Sequence, residues 1–411
     1  MSHNENSNNK PTSTLQFPFS LNQPPFNPRY HKLSIMSENH ALVFGATGLI
    51  GWAVVNQLLS SYPAPQTFAS VTAVSNRPVD ASRTFWPEGS GVQTVSGVNL
   101  QSEDVTGQLR EKIDGVERTT HVFYFVFAPH DENHEEECRI NSSMMRNLAS
   151  ALNTLAPHLK SIVYSGGTRG YGIYIPGGIF TAPLKESMAD TLPADYAKTV
   201  AYPWFRSILS EASAGREWTW SEVCPDVVVG FSPIGSNYSL ALHWAQYLSL
   251  YAKNNPGGKC PFPGSAEGYH ARFTPVSSRI LGRIAIHAAL NSSCSGKIIN
   301  MLDRAEPTSF AELWPSIASF FGLVGVAPSG DTSMQPPSEY IETHRHLLGE
   351  FGRKSGVGAG SKQLDSAGWW LTFDRQLSAE RLREVGFGEE KDPAVGWIEA
   401  FGKFREAGII L

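Results

Sequence analysis

Ala41-Leu42-Val43-Phe44-Gly45-Ala46-Thr47-Gly48-Leu49-Ile50-Gly51-Trp52 is the stretch on which the fold of this 411-residue chain turns. Its apolar start, Ala41 to Phe44, predicts a buried strand, and the run from Leu49 to Ser61 predicts an amphipathic helix. Between them stand glycines 45, 48 and 51. The first permits a tight bend, the second lets backbone approach a pyrophosphate, and the third lets the helix lie close on the strand, while the helix N-terminus attracts the anion. Gly45, Thr47, Gly48, Leu49, Ile50 and Gly51 are therefore expected to hold a dinucleotide. A glycine-rich turn that has lost its ligand is the competing reading, and the strand-turn-helix setting favours the ligand.

Working outward, the pattern repeats. Strands are predicted at residues 70–75, 92–98, 121–128 and 161–166, with helices at 103–113 and 136–155 between them. A Gly/Pro-rich stretch, GGTRGYGIYIPGG, then leaves the fifth strand as an expected active-site loop, followed by a helix over 202–214 and a strand over 221–231. Alternating β and α units imply parallel pairing with right-handed crossovers, hence an α/β, Rossmann-type doubly wound parallel sheet. The expected organisation is a disordered segment over 1–38, a nucleotide-binding domain over 39–235, and a smaller C-terminal substrate-binding cap over 236–411 with segments returning to the first domain.

Composition bounds the function. Apolar residues make up 41% and charged residues 17%, enough for a sizeable core. A net charge of −5, without a basic block, lacks the footprint of a nucleic-acid binder. Cys138, Cys224, Cys260 and Cys294 form no CxxC pair, which fits a reducing compartment and argues against structural zinc. No apolar run is long enough for a membrane span. The first 35 residues are polar and Pro-containing, resemble neither signal nor transit peptide, and stand before Met36, an alternative start. The expectation is a soluble cytoplasmic protein that acts on a small molecule, binds no membrane or nucleic acid, and is compatible with a homodimer. His130 and His134, four apart in an acid-rich stretch, are read as a solvated face rather than a metal site. The Asn-x-Ser sequons at Asn141, Asn237 and Asn291 have no secretory route to act on.

Cofactor preference is written at the tip of the second strand, where an acid would hold the 2′-hydroxyl of NAD and a base the 2′-phosphate of NADP. The chain has Val74-Ser75-Asn76-Arg77-Pro78 there, with no acid, so Asn76 and Arg77 favour NADP(H) over NAD, with a merely solvated arginine as the competing reading.

Taken in order, GATGLIGWAVV, THVFYFVFA, INSSMMRNLASAL, HLKSIVYSGGTRGYG, WTWSEVCPDVVVGFSP and ARFTPVSSR resemble the progesterone 5β-reductase and iridoid synthase-like (PRISE-like) family of short-chain dehydrogenases/reductases, particularly its fungal branch. The resemblance spans most of residues 40–325. It implies an extended short-chain dehydrogenase that uses NADPH to reduce the β carbon of an activated enone or enal, in the setting of secondary metabolism. In that family a loop lysine and the tyrosine of an FYY motif polarise the substrate carbonyl. The lysine falls here on Arg169, and FYY on Ala201-Tyr202-Pro203, so the phenol is Tyr202 or has become Pro203. Tyr202 and Arg206, four apart, also suggest a phenol–cation pair on one helical face.

Ser165, Thr168 and Tyr171 are further candidate donors to a carbonyl, with turn capping as the simpler role of the first two. The resemblance also places Phe127 over the substrate, Asn141 against water or the loop backbone, and Pro225 and Val227 beside the nicotinamide, with Cys224 replacing an arginine. Core packing would explain Phe127 and Asn141 equally well. The functional expectation is an NADPH-dependent reductase. Its alternatives are a non-redox cyclase or isomerase with vestigial cofactor, favoured by the altered lysine and tyrosine motifs, and a cofactor-sensing regulator.

Overall fold

Alternating side chains along the central strands decide how the sheet is covered. The computed structural model describes residues 38–87, 89–130, 133–330, 335–354, 356–358 and 362–411. The segment expected to be disordered lies, up to residue 37, outside the described residues. Six strands, β1 (His40–Phe44), β2 (Ser70–Val74), β3 (Gln93–Val95), β4 (His121–Tyr124), β5 (Ser161–Ser165) and β6 (Thr219–Pro225), join the later strand Lys297–Met301 in one sheet. All pairs are parallel, in the order Lys297–Met301, β6, β5, β4, β1, β2, β3. Val43, Phe123, Val163, Val223 and Ile299 belong to the core on one face, with α1 (Leu49–Leu59) and the helix Ser278–Leu290. Leu42, Phe44, Val122, Tyr124, Ile162 and Tyr164 belong to the other, with α2 (Val105–Lys112), α3 (His134–Leu155) and the helix Ala201–Ser213. Two apolar faces are what a parallel sheet requires, and the expected doubly wound fold is the one observed. Its strand order reverses at β1, between β2 and β4, opening a crevice at the carboxyl ends of the strands.

Two local differences from the sequence bear on that crevice. The run predicted as one strand over 121–128 is paired only to Tyr124, and Phe125 N–H makes the last bond, to Phe44 O at 3.1 Å. Beyond Phe44 the chain bends away at the glycine turn, so Phe125 to Ala128 have no β1 backbone to pair with, and the Phe125 carbonyl instead packs against Gly45. The helix predicted from Tyr202 begins at Ala201, with Pro203 in its first turn, where a missing N–H leaves no bond unmade.

Residues past 235 both complete the sheet, through Lys297–Met301 and Ser278–Leu290, and build a separate layer around the helix Leu240–Asn254. Trp244 anchors that layer, stacked on Trp397 at 5.1 Å and edge-on to Trp314 at 5.2 Å. The four cysteines are free and buried. Among the described residues no helix is long and apolar enough to cross a membrane.

Candidate active site at the ends of the strands

The glycine turn has the geometry its spacing predicts. Gly45 adopts φ 73°, and a Cβ there would stand 2.4 Å from Phe125 O. A Cβ on Gly51 would stand 2.1 Å from Gly45 O, so this glycine lets the first turn of α1 lie on the bend. Gly48 is different: a Cβ would meet only Gly45 O, at 3.2 Å, and its other side is open. No side chain caps the α1 N-terminus at Gly48. An open glycine backbone before an uncapped eleven-residue helix fits a dinucleotide pyrophosphate. Gly51→Ala is expected to cost about 1–3 kcal/mol through this clash; a thermal melt indistinguishable from wild type would show that the close approach is not needed.

At the tip of β2, the Ser75 hydroxyl donates to Arg77 O at 2.6 Å and shapes the turn. Asn76 and Arg77 are exposed, and Arg77 forms no ion pair among the described residues. Both are free to meet a ligand beside the glycine turn, since Gly45 N–H and Ala46 N–H both donate to Val74 O.

At the far side of the crevice stands Tyr202. A Cβ on Gly167 would lie 3.2 Å from its hydroxyl and 3.7 Å from Pro225 O, which sets the phenol between the ends of β5 and β6. Of the two registers for the family's tyrosine, Tyr202 therefore presents a hydroxyl here. Among the described residues that hydroxyl has no hydrogen-bond partner, and Tyr202 as a whole is half-buried. Burial raises its pKa well above the usual tyrosine value, against the lowering effect of the Arg169 charge.

The other candidates divide. Arg206 does not pair with Tyr202: its Nη1 lies 2.8 Å from Glu222 Oε2, which also accepts from the Tyr164 hydroxyl at 2.8 Å. The cation acting on the Tyr202 phenol is Arg169 instead. Its Nη1 donates to Glu137 Oε1 at 2.5 Å and its other terminal nitrogen to the Thr199 carbonyl, while Nε, buried, has no hydrogen-bond partner among the described residues. Tyr171 is withdrawn; it is 1% exposed, and its hydroxyl donates to Asn300 Oδ1 at 2.7 Å inside the core. Ser165 is half-buried at the end of β5, with its hydroxyl on Gly166 O, and Thr168 donates to Asp226 Oδ1 at 2.9 Å.

On the β4 side Phe127 is half-buried. Asn141, fully buried, accepts from Ala128 N–H at 2.9 Å and donates to Ala128 O and Glu137 O, both at 2.8 Å. Its amide thus clamps the loop after β4 and has no donor left for a ligand. Pro225 and Val227 flank Asp226, whose Oδ2 lies 3.1 Å from Arg375 Nε in a pair with both side chains 2% exposed. Sequence reasoning gave neither Glu137 nor Arg375 a role; only the number of acids in HEEE hinted at the first. His134 starts α3 and His130 lies in the preceding loop; among the described residues no three metal-ligating side chains stand together. The cavity of about 340 Å³ lined by Tyr62, Pro63, His287, Leu290, Asn291 and Ser292 touches none of the candidates and opens at the opposite ends of α1 and Ser278–Leu290.

A doubly wound sheet with this turn at its switch point, and a free phenol at the ends of the fifth and sixth strands, has the architecture of the short-chain dehydrogenases/reductases. Residues 41–411 match the model of the PRISE-like Rossmann-fold domain, and the chain belongs to that family. It is similar to the short chain dehydrogenase sirQ of Leptosphaeria maculans, 29% identical over 385 residues, covering 90% of this chain and 97% of that protein. It is also similar to the 3-oxo-Delta(4,5)-steroid 5-beta-reductase of Arabidopsis thaliana, at 24% identity over 90% of this chain and 93% of that one. In fold it resembles the yeast methylglyoxal/isovaleraldehyde reductase Gre2, solved with NADPH, with TM-score 0.57 and 11% identity over 90% of this chain and 100% of the other. The chain is a short-chain dehydrogenase/reductase-like oxidoreductase.

Proposed function

We propose that the protein is an NADPH-dependent reductase of an activated enone, enal or carbonyl, with Tyr202 as the proton donor. The observation that carries this is the Tyr202 hydroxyl at the ends of β5 and β6, without a hydrogen-bond partner among the described residues, across the crevice from an uncapped glycine turn. NADPH, when bound, supplies the hydride. Gly45, Thr47, Gly48, Leu49, Ile50 and Gly51 hold its pyrophosphate, Asn76 and Arg77 its 2′-phosphate, and Phe127, Pro225 and Val227 flank its nicotinamide. Asn141 fixes the loop that carries Phe127. With its pKa held above the usual tyrosine value, Tyr202 keeps its proton at neutral pH and acts as a donor to the substrate oxygen, not as a base.

The name of the steroid reductase relative supports an enone, and the fungal relative supports a place in fungal-type secondary metabolism. The same proposal takes residues 39–235 as the cofactor domain and 236–411 mainly as the substrate cap, and a cytoplasmic protein with a small molecule as its partner. Purified protein is expected to oxidise NADPH with 2-cyclohexen-1-one or trans-2-hexenal as probe. A second reading, a non-redox cyclase or isomerase, draws on the pairing of Arg169, at the family's lysine position, with Glu137; conversion of a substrate with no change in NADPH would establish it in place of the reductase.

Arg77→Ala is expected to weaken NADPH binding by about 1.5–3 kcal/mol, the value of one charge-assisted contact, and to leave NADH binding unchanged. Quenching of the tryptophan fluorescence reports both affinities, with Trp52 just past the turn. Equal losses for the two nucleotides would remove the phosphate from the role of Arg77.

A further inference from the structure

Glu137 lies in the first turn of α3, outside every motif of the crevice, yet through Arg169 its contacts reach the segment just before the helix that carries the candidate phenol. Its side chain is 5% exposed. Oε1 holds Arg169 Nη1, and Oε2 accepts from the His130 backbone N–H at 3.0 Å. The other terminal nitrogen of Arg169 donates to the Thr199 carbonyl, just before the helix that carries Tyr202. The Arg169 carbonyl accepts from the Tyr196 hydroxyl at 2.8 Å. One carboxylate therefore joins the loop after β4, the loop after β5 and the entry to Ala201–Ser213, the three segments that bound the reaction centre.

We propose that Glu137 is the positioning residue of this site: by holding and neutralising Arg169, it fixes the Tyr202 phenol beside Gly167 and shields it from an unpaired guanidinium. The proposal rests on Tyr202 being the donor, and Glu137 itself touches neither substrate nor cofactor. The charges around the phenol make its role asymmetric. Besides Arg169, the groups acting on Tyr202 are Tyr174 from the same loop and Cys224 and Glu222 from β6. Glu222 is compensated twice, by Arg206 and by the Tyr164 hydroxyl. Arg169 has one carboxylate and one neutral carbonyl. Removing the Glu137 charge therefore exposes the phenol to an uncompensated cation, which favours the phenolate.

The test is titration of the full-length protein by ultraviolet difference absorbance of tyrosinate, with the Tyr202 step assigned by subtracting the Tyr202→Phe curve. It needs no substrate, so its failure is distinct from a failure of enone reduction. Glu137→Gln is expected to lower the Tyr202 midpoint by about one pH unit, about tenfold in proton affinity, and to do nothing in an Arg169→Gln background. A merely structural role would not depend on Arg169. An unmoved midpoint in Glu137→Gln, or an equal shift without Arg169, overturns the proposal. Where the glutamine variant does not fold, Glu137→Asp decides: retention of the charge keeps the midpoint within about half a unit of wild type, and a fall of about a unit or more overturns it.

Discussion

Tyr202→Phe is expected to lower turnover of an enone probe by about 10² to 10⁴ while leaving NADPH affinity within about twofold, if the proposed reductase reading holds. The size of the effect follows from what the hydroxyl does not do. Among the described residues it makes no hydrogen bond, so its removal strands no partner there and should leave the melting temperature unchanged. Phenylalanine keeps the ring against Phe205, 6.4 Å away between centroids, and against Gly170. What disappears, on the proposed reading, is a proton donor, needed mainly where charge develops on the substrate oxygen. Tyr171→Phe is the contrast, because that hydroxyl satisfies Asn300 Oδ1 in the core. Its loss should cost about 1–3 kcal/mol of stability and little turnover. Steady-state kinetics beside thermal melts separate the two; if Tyr171→Phe abolishes turnover with an unchanged melt while Tyr202→Phe does not, the phenol has been misassigned.

The sheet and its turn were legible in the sequence because they depend on local steric needs. A glycine spaced to admit Phe125 O, and another to admit Gly45 O, leaves a mark that no other residue type can imitate. The strand run from His121 carried less information: hydropathy continues to Ala128, but pairing ends where β1 turns away, and a neighbour's path is not written in the run itself. The donors were harder for the same reason. Tyr171 and Tyr202 are both aromatic residues near glycines, and only the course of the turn Thr168–Tyr171 sends one into the core and leaves the other at the crevice. The four-residue spacing of Tyr202 and Arg206 suggested a pair on one helical face, but Glu222, a buried carboxylate on β6, is the stronger claim on that guanidinium. Arg375 had no signal and Glu137 only the cluster of acids around it, since their partners lie in other segments of the chain and a charge looks the same in sequence whether it is solvated or buried.

Arg375→Met is expected to destabilise the protein by about 3–5 kcal/mol, a large share of the stability of an ordinary domain. Asp226 and Arg375 are both sealed from water at the end of β6, with Thr168 donating to the second carboxylate oxygen and the guanidinium lying 4.8 Å from the centre of the Phe273 ring. The loss comes from the partner left behind, a carboxylate with no cation in a dry site. Burial already raises the Asp226 pKa, and the Arg375 charge is the largest effect opposing it; without Arg375 it rises further. A carboxyl whose folded pKa exceeds its unfolded one binds its proton more tightly in the fold, so the stability that proton gives is present below the unfolded pKa and is lost as pH rises through the folded one. The deficit of the variant is therefore largest at alkaline pH and shrinks on acidification. Denaturant unfolding at about pH 8 and about pH 5 measures it, and Asp226→Asn placed in the same variant should restore most of the loss at the higher pH. A deficit that is the same at both, or is not relieved by the second substitution, means that the pair is not ionised in the fold. Thr168 follows Gly167 directly, so the loosened Asp226 contact also reaches the backbone against which the Tyr202 phenol stands, and turnover should fall along with stability.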